Sequence, residues 1–584
     1  MRKYLGLFGL FTLAGSLIAY NMFQRFSQQE LWGMRPLFLF IFIWGALSSL
    51  GAIRWGKNEG FQLRFILSSS AGLLLSIGFP DTLIPFPFFA MVGYVPLLIL
   101  MEMPSLKRRQ VFGHAFNTFL IWNFITTFWV ANTAFLAGVF AVVVNSFLMT
   151  IPILTYFELK NKIPRLAAVS FIATWLTFEM VHYHWDLAWP WLTLGNEFAA
   201  FPSLVQWYEY TGVFGGSLWI LVANWLLWKI WQKTKASSIT SKHFLPILAW
   251  VFLPIGLSFF LYYTYEEEGE SRQMVLIQPN YEPHYEKFAL SELQQTQEIM
   301  DWCRGAIGDK TDFLVLPETV FGLIERESIR NYPAVQQLEG LLIDFPQLNI
   351  VTGVSAYEFF EPENGWDMPS TVRRQMNRNG EEVYYEILNA AIHLKKGQVE
   401  VPLYRKSKLV PGPEIFPFKE ILFFMEPLVT SLGGTIAGLG TQKERSIFEG
   451  EKGKIAPIIC YESVFGSYVT DYLKKGAEAL VIMTNDGWWD KTPGHLQHLR
   501  YASLRAIETR KGVARAANTG VSAFINQRGD LIAQSKYGEA TALKGNLMFN
   551  NKTTFYTQWG DVIPRIALLI TGLLILNLFS KKRV

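Results

Sequence analysis

The chain has 584 residues, more than one hydrophobic core of ordinary size supports, so at least two separately packed units are expected. Hydrophobic residues make up 51% of the chain and charged residues 17%, against about 25% charged residues in a soluble globular chain. The net charge of +4 is small and the cations are spread, which excludes the basic patch of a nucleic-acid-binding protein. Much of the chain is therefore expected to face lipid.

Residues 1–265 form a series of apolar runs, each near the roughly 20 residues that a membrane-spanning helix needs. The pattern predicts about nine spanning helices there and a tenth near the end of the chain. A signal peptide is the alternative for the first run, because Arg2 and Lys3 precede it, although no small-residue cleavage site follows. The predicted spans are residues 4–20, 36–53, 65–80, 86–101, 115–136, 139–157, 166–182, 210–231, 244–263 and 563–579.

Lysine and arginine residues fall mainly in every second loop between these runs, which is the pattern of a cytoplasmic side. Cations also precede the first run and follow the last one. The other loops hold almost no cations, with Arg25 and Arg35 as exceptions. Both termini are therefore predicted to be cytoplasmic, and the long segment between the ninth and tenth runs is predicted to be extracytoplasmic.

That segment alternates short β-rich runs with polar helical stretches, which predicts an α/β layered domain. The predicted strands are residues 274–278, 313–316, 350–354, 390–394, 455–459 and 479–483, and the predicted helices are 291–307 and 494–510. The chain thus divides into four parts. They are two N-terminal helices in residues 1–58, a membrane domain of about seven helices in 59–268, the layered domain in 269–559, and the last helix with a basic tail in 560–584.

Three segments each place a reactive side chain directly after a predicted buried strand, where a rigid sheet holds it at an edge. They are LPET with Glu318, YRKSKLVP with Lys406, and CYES with Cys460. Taken singly, such residues are more often a solvated carboxylate, a solvated lysine and a packed thiol. Together they supply a nucleophile, a base for its proton and a cation for a developing oxyanion. Lys408 competes with Lys406 for the cationic role.

The order of Glu318, Lys406 and Cys460 in these contexts resembles the triad of the nitrilase superfamily. The segments TNDGWW at 484–489, RAIE at 505–508 and RAANTG at 515–520 resemble those that follow the nucleophile in apolipoprotein N-acyltransferases. The likeness continues into the membrane part, where WPWLTLG at 189–195 is similar to a loop of that family. It implies a polytopic α-helical membrane domain plus a nitrilase-like four-layer αββα sandwich, with the two helices of residues 1–58 as extra elements.

The resemblance also implies a reaction in two halves. Cys460, deprotonated by Glu318, takes an acyl chain from a membrane phospholipid as a thioester, while Lys406 and a backbone N–H hold the oxyanion. The amino group of the S-diacylglyceryl cysteine of a lipoprotein then accepts the acyl chain, which is the last step of lipoprotein maturation. The implied location is the bacterial inner membrane, with a periplasmic catalytic domain. No metal or organic cofactor is required, and a monomer is expected.

Five further residues are carried over from this resemblance as substrate-binding or site-shaping residues. Glu414 is expected to position Lys406 or the reacting carbonyl, and the alternative for it is an exposed loop carboxylate. Two of the others flank the nucleophile, one lies on a strand and one near the substrate opening. The five are Glu414, Tyr461, Glu462, Trp488 and Asn389.

Several conspicuous residues have structural interpretations instead. His495 and His498 lie three apart on a predicted helix, but lack partners at a zinc-like spacing, so a structural role is expected. Glu179 lies inside an apolar span, where a polar contact between helices competes with handling of a lipid headgroup. Cys303 is expected to be packing. A disulfide with Cys460 is disfavoured, because the nucleophile must be a free thiol.

The loop at residues 416–439 is unusually apolar, with a short stretch that contains Phe416, Phe418, Ile421, Leu422, Phe423 and Phe424. Exposed apolar surface of this kind marks contact with a membrane or a ligand. The loop is therefore predicted to be a lid that dips into the outer leaflet.

Two other functions remain open from the sequence. A membrane-tethered amidase or nitrilase would use the same triad with water as the second acceptor. A scaffold that has lost catalysis would keep the fold, although the complete set of Glu, Lys and Cys speaks against it.

Overall fold

The computed structural model describes residues 2–56, 58–82, 84, 86–236, 238–287, 289–360, 369–376, 379–418 and 438–580. The N-terminal portion of these residues is helical. We call residues 2–264 the helical part. Its helices are α1 Arg2–Ser27, α2 Arg35–Trp55, α3 Glu59–Ile77, α4 Ala90–Gly93, α5 Val95–Leu100, α6 Arg108–Thr127, α7 Val130–Thr133, α8 Phe135–Leu148, α9 Thr150–Lys162, α10 Ala167–Tyr183, α11 Tyr208–Thr211, α12 Val213–Lys235 and α13 Leu245–Thr264.

Seven helices among the described residues are long and apolar enough to cross a membrane. Two of the predicted spans are wrong in their bounds. The predicted span 86–101 is divided into a 3-10 turn and the short helices α4 and α5, and the predicted span 115–136 ends as a helix at Thr127. The chain then turns through α7 to an extended Ala134, from which α8 begins. Hydropathy missed these turns because their residues are as apolar as the helices around them.

The helical part packs around buried aromatic side chains. The indole rings of Trp122 and Trp175 are stacked with centroids 6.3 Å apart, and Tyr94 meets Trp175 edge to face at 5.0 Å. The last helix of the chain, Val562–Ser580, belongs to the same bundle. It packs along α10, where the hydroxyls of Thr177 and Thr571 lie 2.9 Å apart. Close contact between small polar side chains is a common way of joining helices in a membrane.

The remaining residues form what we call the two-sheet domain, residues 270–549. Its strands are β1 Glu270–Gln278, β2 Phe313–Val315, β3 Phe321–Glu325, β4 Asn349–Phe359, β5 Arg373–Met376, β6 Glu382–Leu394, β7 Leu403–Arg405, β8 Phe448–Gly450, β9 Gly453–Ile459, β10 Ala479–Thr484, β11 Val513–Ala517, β12 Ala523–Ile525, β13 Leu531–Gln534 and β14 Thr541–Phe549. Its helices are α14 Glu292–Ala306, α15 Pro333–Asp344, α16 Gly466–Lys474 and α17 Pro493–Thr509, and α18 Phe555–Trp559 leads into the last helix, α19 Val562–Ser580.

The strands form two sheets. The first has eight strands in the order β14-β1-β2-β4-β6-β5, with β3 beside β4 and β7 beside β6, and the second has six in the order β13-β12-β11-β10-β9-β8. Within them β1, β2 and β4 run parallel, as do β9, β10 and β11. The carboxyl ends of parallel strands meet at one edge of a sheet, which is the usual place for a site in such folds.

Apolar side chains of the two sheets pack against each other, and helices cover both outer faces. Met274 and Leu276 of β1 share a buried cluster with Ile455 and Ile458 of β9. Helices α14 and α15 pack on the first sheet, and α16 and α17 pack on the second. This confirms the predicted αββα sandwich, and each of the six predicted strands is present.

The apolar core of the helical part extends into the two-sheet domain. Tyr461, Phe465 and Leu504 belong to the same buried cluster as the membrane helices. The two N-terminal helices also reach this junction through the turn between them. The backbone N–H of Gly33 donates to Asp490 Oδ2 at 2.7 Å, and Asn132 Nδ2 donates to the carbonyl of Gly33 at 3.1 Å.

Candidate active site

Glu318 lies just beyond the end of β2, where its backbone is held tightly against β4. The N–H of Gly353 donates to the carbonyl of Pro317 at 3.1 Å. A Cβ on Gly353 would come within 2.6 Å of the Cα of Glu318, so the close approach requires glycine there. Lys287, whose role the sequence did not reveal, donates from Nζ to the carbonyl of the next residue, Thr319, at 2.7 Å. These contacts hold the backbone of the turn in place, and the side chain of Glu318 extends from it. Glu318 is buried.

Lys406 follows β7 and points at two carboxylates. Its Nζ lies 3.0 Å from Glu318 Oε1 and 2.7 Å from Glu414 Oε1, and its side chain is 1% exposed. Burial acts to lower the pKa of Lys406, but the charges of Glu318 and Glu414 outweigh burial and hold it well above its usual value. The ammonium is therefore charged throughout the neutral range.

Asn389 and Glu414 complete this arrangement. Asn389 Nδ2 donates to Glu318 Oε1 at 2.8 Å and to Glu414 Oε1 at 3.2 Å, so the amide bridges the same two oxygens as Lys406. The other oxygen of Glu414 accepts the N–H of Val410 at 2.8 Å. Glu414 is thus fixed in the cluster and is not the exposed loop carboxylate that was its alternative. Asn389 Oδ1 is buried and has no partner among the described residues.

Cys460 follows β9 in a left-handed backbone conformation, with φ at +50°. This backbone conformation costs a residue other than glycine about 1–2 kcal/mol, and such strain is common at active sites. The residue is 8% exposed. Burial raises the pKa of the Cys460 thiol, and the negative charge of Glu318 raises it further, while Lys406 lowers it. The resting thiol is therefore protonated, and forming the thiolate requires a base.

A buried polar network contacts the backbone carbonyl of Cys460. This carbonyl accepts the hydroxyl of Ser463 at 2.7 Å and lies 3.2 Å from His498 Nε2. His498 Nδ1 lies 2.9 Å from Asp486 Oδ1, and Asp486 also pairs with Arg515. Burial acts to raise the pKa of Asp486, but Arg515 and His498 hold it far below its usual value.

This network gives His498 the structural role expected from the sequence. A group of three or more His, Cys, Asp or Glu side chains placed to hold a metal is not found within the described ranges. Reasoning from sequence missed Ser463, Asp486 and Arg515. The available signal was that Arg515 is a charged residue in the middle of an apolar run and that Asp486 closely follows another, since a buried charge must be paired.

Glu462 is fully buried and joins the nucleophile segment to the lysine segment. One carboxylate oxygen accepts the N–H of Ser407 at 2.7 Å and the hydroxyls of Tyr404 and Tyr468, each at 2.6 Å. The other accepts the N–H of Ile459 at 2.9 Å. Burial raises the pKa of Glu462, and these hydrogen bonds oppose the rise. Glu462 thus ties the residue after Lys406 to the residue before Cys460.

Replacing Glu462 by Gln is expected to destabilise the fold by about 1–3 kcal/mol, because an amide NH₂ would face a buried backbone N–H. The measurement is the thermal midpoint of the purified protein in detergent. Glu444→Gln is the matched control, since Glu444 pairs with Lys475 at the surface and is 82% exposed. Equal midpoints for the two variants would contradict the role given to Glu462.

Tyr461 and Trp488 lie at the junction with the helical part. The hydroxyl of Tyr461 donates to the carbonyl of Ala188 at 2.8 Å, in the loop that carries the tryptophan-rich segment. The carbonyl of Trp488 accepts the hydroxyl of Thr133 at 3.3 Å, and its side chain is partly exposed. Tyr461 is therefore a contact between domains, and Trp488 lies on the rim of that contact.

The remaining candidates are placed outside the cluster of Glu318, Lys406 and Glu414. Lys408 Nζ donates to the carbonyl of Tyr183 at 3.0 Å, which leaves the two glutamates to Lys406. Glu179 Oε1 accepts the N–H of Leu194 at 2.9 Å, and Cys303 is buried and free. Residues 419–437 of the predicted lid lie outside the described residues. Before them, the N–H of Phe418 donates to Asp186 at 3.0 Å.

Comparisons with known proteins cover both parts of the chain. A model described as apolipoprotein N-acyltransferase N-terminal domain matches residues 71–226, and one described as carbon-nitrogen hydrolase matches residues 276–551. The chain is 27% identical over 550 residues to the apolipoprotein N-acyltransferase of Chlorobaculum tepidum, across 91% of this chain and 100% of that protein. It is 24% identical over 518 residues to that of Geobacter metallireducens, across 85% and 92%.

Among solved structures, Saccharomyces cerevisiae Nit3, a member of branch 10 of the nitrilase superfamily, is 16% identical, with a TM-score of 0.34 over 48% of this chain and 90% of that one. The first family model lies within the helical part, and the second matches most of the two-sheet domain. The curated relatives match along most of its length. The chain belongs to the apolipoprotein N-acyltransferase family and carries a carbon–nitrogen hydrolase domain.

Proposed function

We propose that this membrane acyltransferase moves an acyl chain from a phospholipid to Cys460, and from Cys460 to the amino group of the S-diacylglyceryl cysteine of lipoproteins. The main support is that the Lys406 ammonium lies between Glu318 and Glu414, and that the charges of Lys406 and Glu318 both act on the Cys460 thiol. This set provides a base, a cation and a nucleophile within one buried cluster.

In the first half, the Cys460 thiol gives its proton to Glu318 as the sulfur attacks the ester carbonyl of the phospholipid. The raised pKa of the thiol makes this transfer necessary at neutral pH. The Lys406 ammonium and a backbone N–H beside Cys460 stabilise the oxyanion. When the tetrahedral intermediate collapses, Glu318 returns the proton to the leaving glycerol oxygen, and a lysophospholipid departs.

In the second half, the amine of the lipoprotein attacks the thioester carbonyl. Glu318 takes the proton that the amine loses, and the Cys460 sulfur leaves as the new amide bond forms. A thioester is more reactive toward an amine than the ester from which it came, so the order of the steps is chemically favourable. Glu414 and Asn389 keep Glu318 and Lys406 in place during both halves.

The membrane position supports a lipid donor. The nucleophile segment is held against the bundle, because Tyr461 and Phe465 share a buried core with the membrane helices. From the distribution of cations, we propose that both termini are cytoplasmic and that the two-sheet domain lies in the periplasm. We take the acting form to be a monomer.

Product analysis tests this proposal directly. The full chain in detergent is mixed with a phospholipid and a diacylglyceryl lipopeptide, and the products are separated by mass spectrometry. The expected products are an N-acylated lipopeptide and an equimolar lysophospholipid. Release of free fatty acid without amide formation, or of ammonia from a small amide, would show that the protein is a hydrolase and would contradict the proposal. The matched control is the same lipopeptide with an acetylated N-terminus, which is expected to accept nothing.

A further inference from the structure

A cavity of about 370 Å³ opens on the side of the molecule where the two-sheet domain meets the bundle. The catalytic residues Glu318, Lys406 and Cys460 do not line it. Its walls come from the end of α10, from the segment after β7, from α16 and from the turn that leads into α19. Because α10 and α19 are apolar helices that pack together, the cavity lies at the level where their apolar stretches end.

The cavity carries three cations, Lys408, Lys474 and Arg565, against two carboxylates. Lys474 pairs with Asp471 at 3.0 Å, and both side chains are about half exposed, so this pair is open to exchange. Burial lowers the pKa of Lys408, so an anion nearby would relieve an existing cost. Arg565 lies in the first turn of α19, where the helix dipole also favours an anion.

The second carboxylate, Asp561, also lines the cavity, but it differs from Asp471. It is buried, and its Oδ1 accepts the hydroxyl of Tyr556 at 2.6 Å. Its Oδ2 has no partner within the part of the chain that the structure describes. A buried acceptor of this kind is costly unless a donor reaches it, and a hydroxyl on a ligand would be such a donor.

The surface that continues from the cavity is apolar. Ile566, Leu569, Leu573 and Leu576 follow one another at helical spacing along one face of α19, and each is more than half exposed. Trp559, at the rim, is 58% exposed, which is typical of an indole at the boundary between headgroups and hydrocarbon. A cationic cavity above an apolar strip has the shape and polarity of one phospholipid molecule.

We propose that this cavity binds the phosphate of an anionic phospholipid whose headgroup carries a hydroxyl, with its acyl chains along α19. The phosphate lies among Lys408, Lys474 and Arg565, and the headgroup hydroxyl donates to Asp561 Oδ2. Basic pockets between membrane helices bind phospholipid headgroups in this way. The volume is enough for a phosphoglycerol group and too small for acyl chains.

A lipid in this position would also brace the nucleophile segment from outside. The cavity wall includes Phe465 and Tyr468, and the hydroxyl of Tyr468 donates to Glu462 at 2.6 Å. The ring of Phe465 meets that of Tyr461 edge to face at 5.0 Å. The proposed site is therefore separate from the thiol, yet in contact with residues that position it.

The test measures lipid binding to the full chain in a Cys460→Ser background, so that no acyl transfer is needed. Native mass spectrometry follows binding of short-chain phosphatidylglycerol. The double variant Lys474→Gln with Arg565→Gln is expected to bind the lipid with an affinity reduced by about tenfold or more. The matched control is Lys475→Gln with Lys536→Gln, which removes the same number of positive charges. These two lysines lie at the surface, where they pair with Glu444 and Glu539.

Equal weakening by the two double variants would overturn the proposal, since it would mean that net charge alone attracts the lipid. Equal binding of diacylglycerol, which lacks the phosphate, would also overturn it. Inorganic phosphate is the third arm and is expected not to displace the lipid, because it gains no contact with α19. Displacement of the lipid by phosphate would mean that the cavity binds a free anion, and it would overturn the proposal. Acyl adduct formation on Cys460 is measured separately in the chain with its native cysteine, so failure of the proposed function is distinguishable.

Discussion

Replacing Cys460 by Ser is expected to abolish the acyl-enzyme and to reduce acyl transfer by on the order of 10⁴-fold or more. In the proposed chemistry, the sulfur of Cys460 is the protein atom that forms a covalent bond to the acyl group. A serine hydroxyl in the same strained turn would need far stronger activation than Glu318 provides. Intact-protein mass spectrometry after incubation with phospholipid measures the acyl adduct.

Cys303→Ser is the matched control for this experiment. Cys303 lies in α14 with its side chain buried, and burial raises its pKa to about 12. The control is expected to form the adduct at the wild-type level. An adduct that persists in the Cys460 variant would assign the acyl group to another residue, and the proposed role of Cys460 would be wrong.

Replacing Lys406 by Met is expected to lower acyl transfer by on the order of 10²–10³-fold and to destabilise the protein by about 3–5 kcal/mol. The substitution removes oxyanion stabilisation and leaves the carboxylates of Glu318 and Glu414 buried together without a cation. Single-turnover formation of the adduct and the thermal midpoint measure the two effects.

The stability change has a definite dependence on pH. In the native chain the raised pKa of Lys406 contributes stability that is present below its usual pKa of 10.5 and is lost only as pH rises through the folded value. The variant has no ammonium at this position, so it lacks this contribution at every pH below the folded value. The loss of stability is therefore expected to be about the same at pH 5 and pH 8 and to shrink only in strongly alkaline solution.

Lys511→Met is the control for removing a buried lysine. Lys511 Nζ donates to the carbonyl and side chain of Asn550, away from the triad. This variant is expected to lose stability and to keep its adduct formation per folded molecule. If it lost adduct formation as severely as Lys406→Met, the effect of Lys406 would reflect packing alone.

Six of the strands were predictable from sequence because each contains a short apolar run with a polar break on both sides. Strands β5 and β13 were not, because they are exposed on at least one face and their residues resemble those of loops. Strand β7 has only three residues, and it is a strand because β6 pairs with it. Such elements are set by their neighbours in space, which a pattern along the chain does not contain.

The candidate triad was predictable because each member follows a strand and because the motifs resemble a known family. The contacts that fix it were less accessible. Ser463, His498 and Asp486 come from α17 and from the segments after β9 and β10, and their meeting depends on how those elements pack. Glu462 was predicted as a site-shaping residue. The residues that donate hydrogen bonds to it could be identified only in three dimensions.

The hydrogen-bonded pair Thr177 and Thr571 joins residues that are 394 positions apart in the chain. At usual rates of translation, α10 leaves the ribosome roughly 20–80 s before α19 does. During that interval the face of α10 that receives α19 has no partner from its own chain. The final helix therefore completes the bundle, and a nascent chain stalled before residue 562 would present an open groove that a chaperone or lipid must cover.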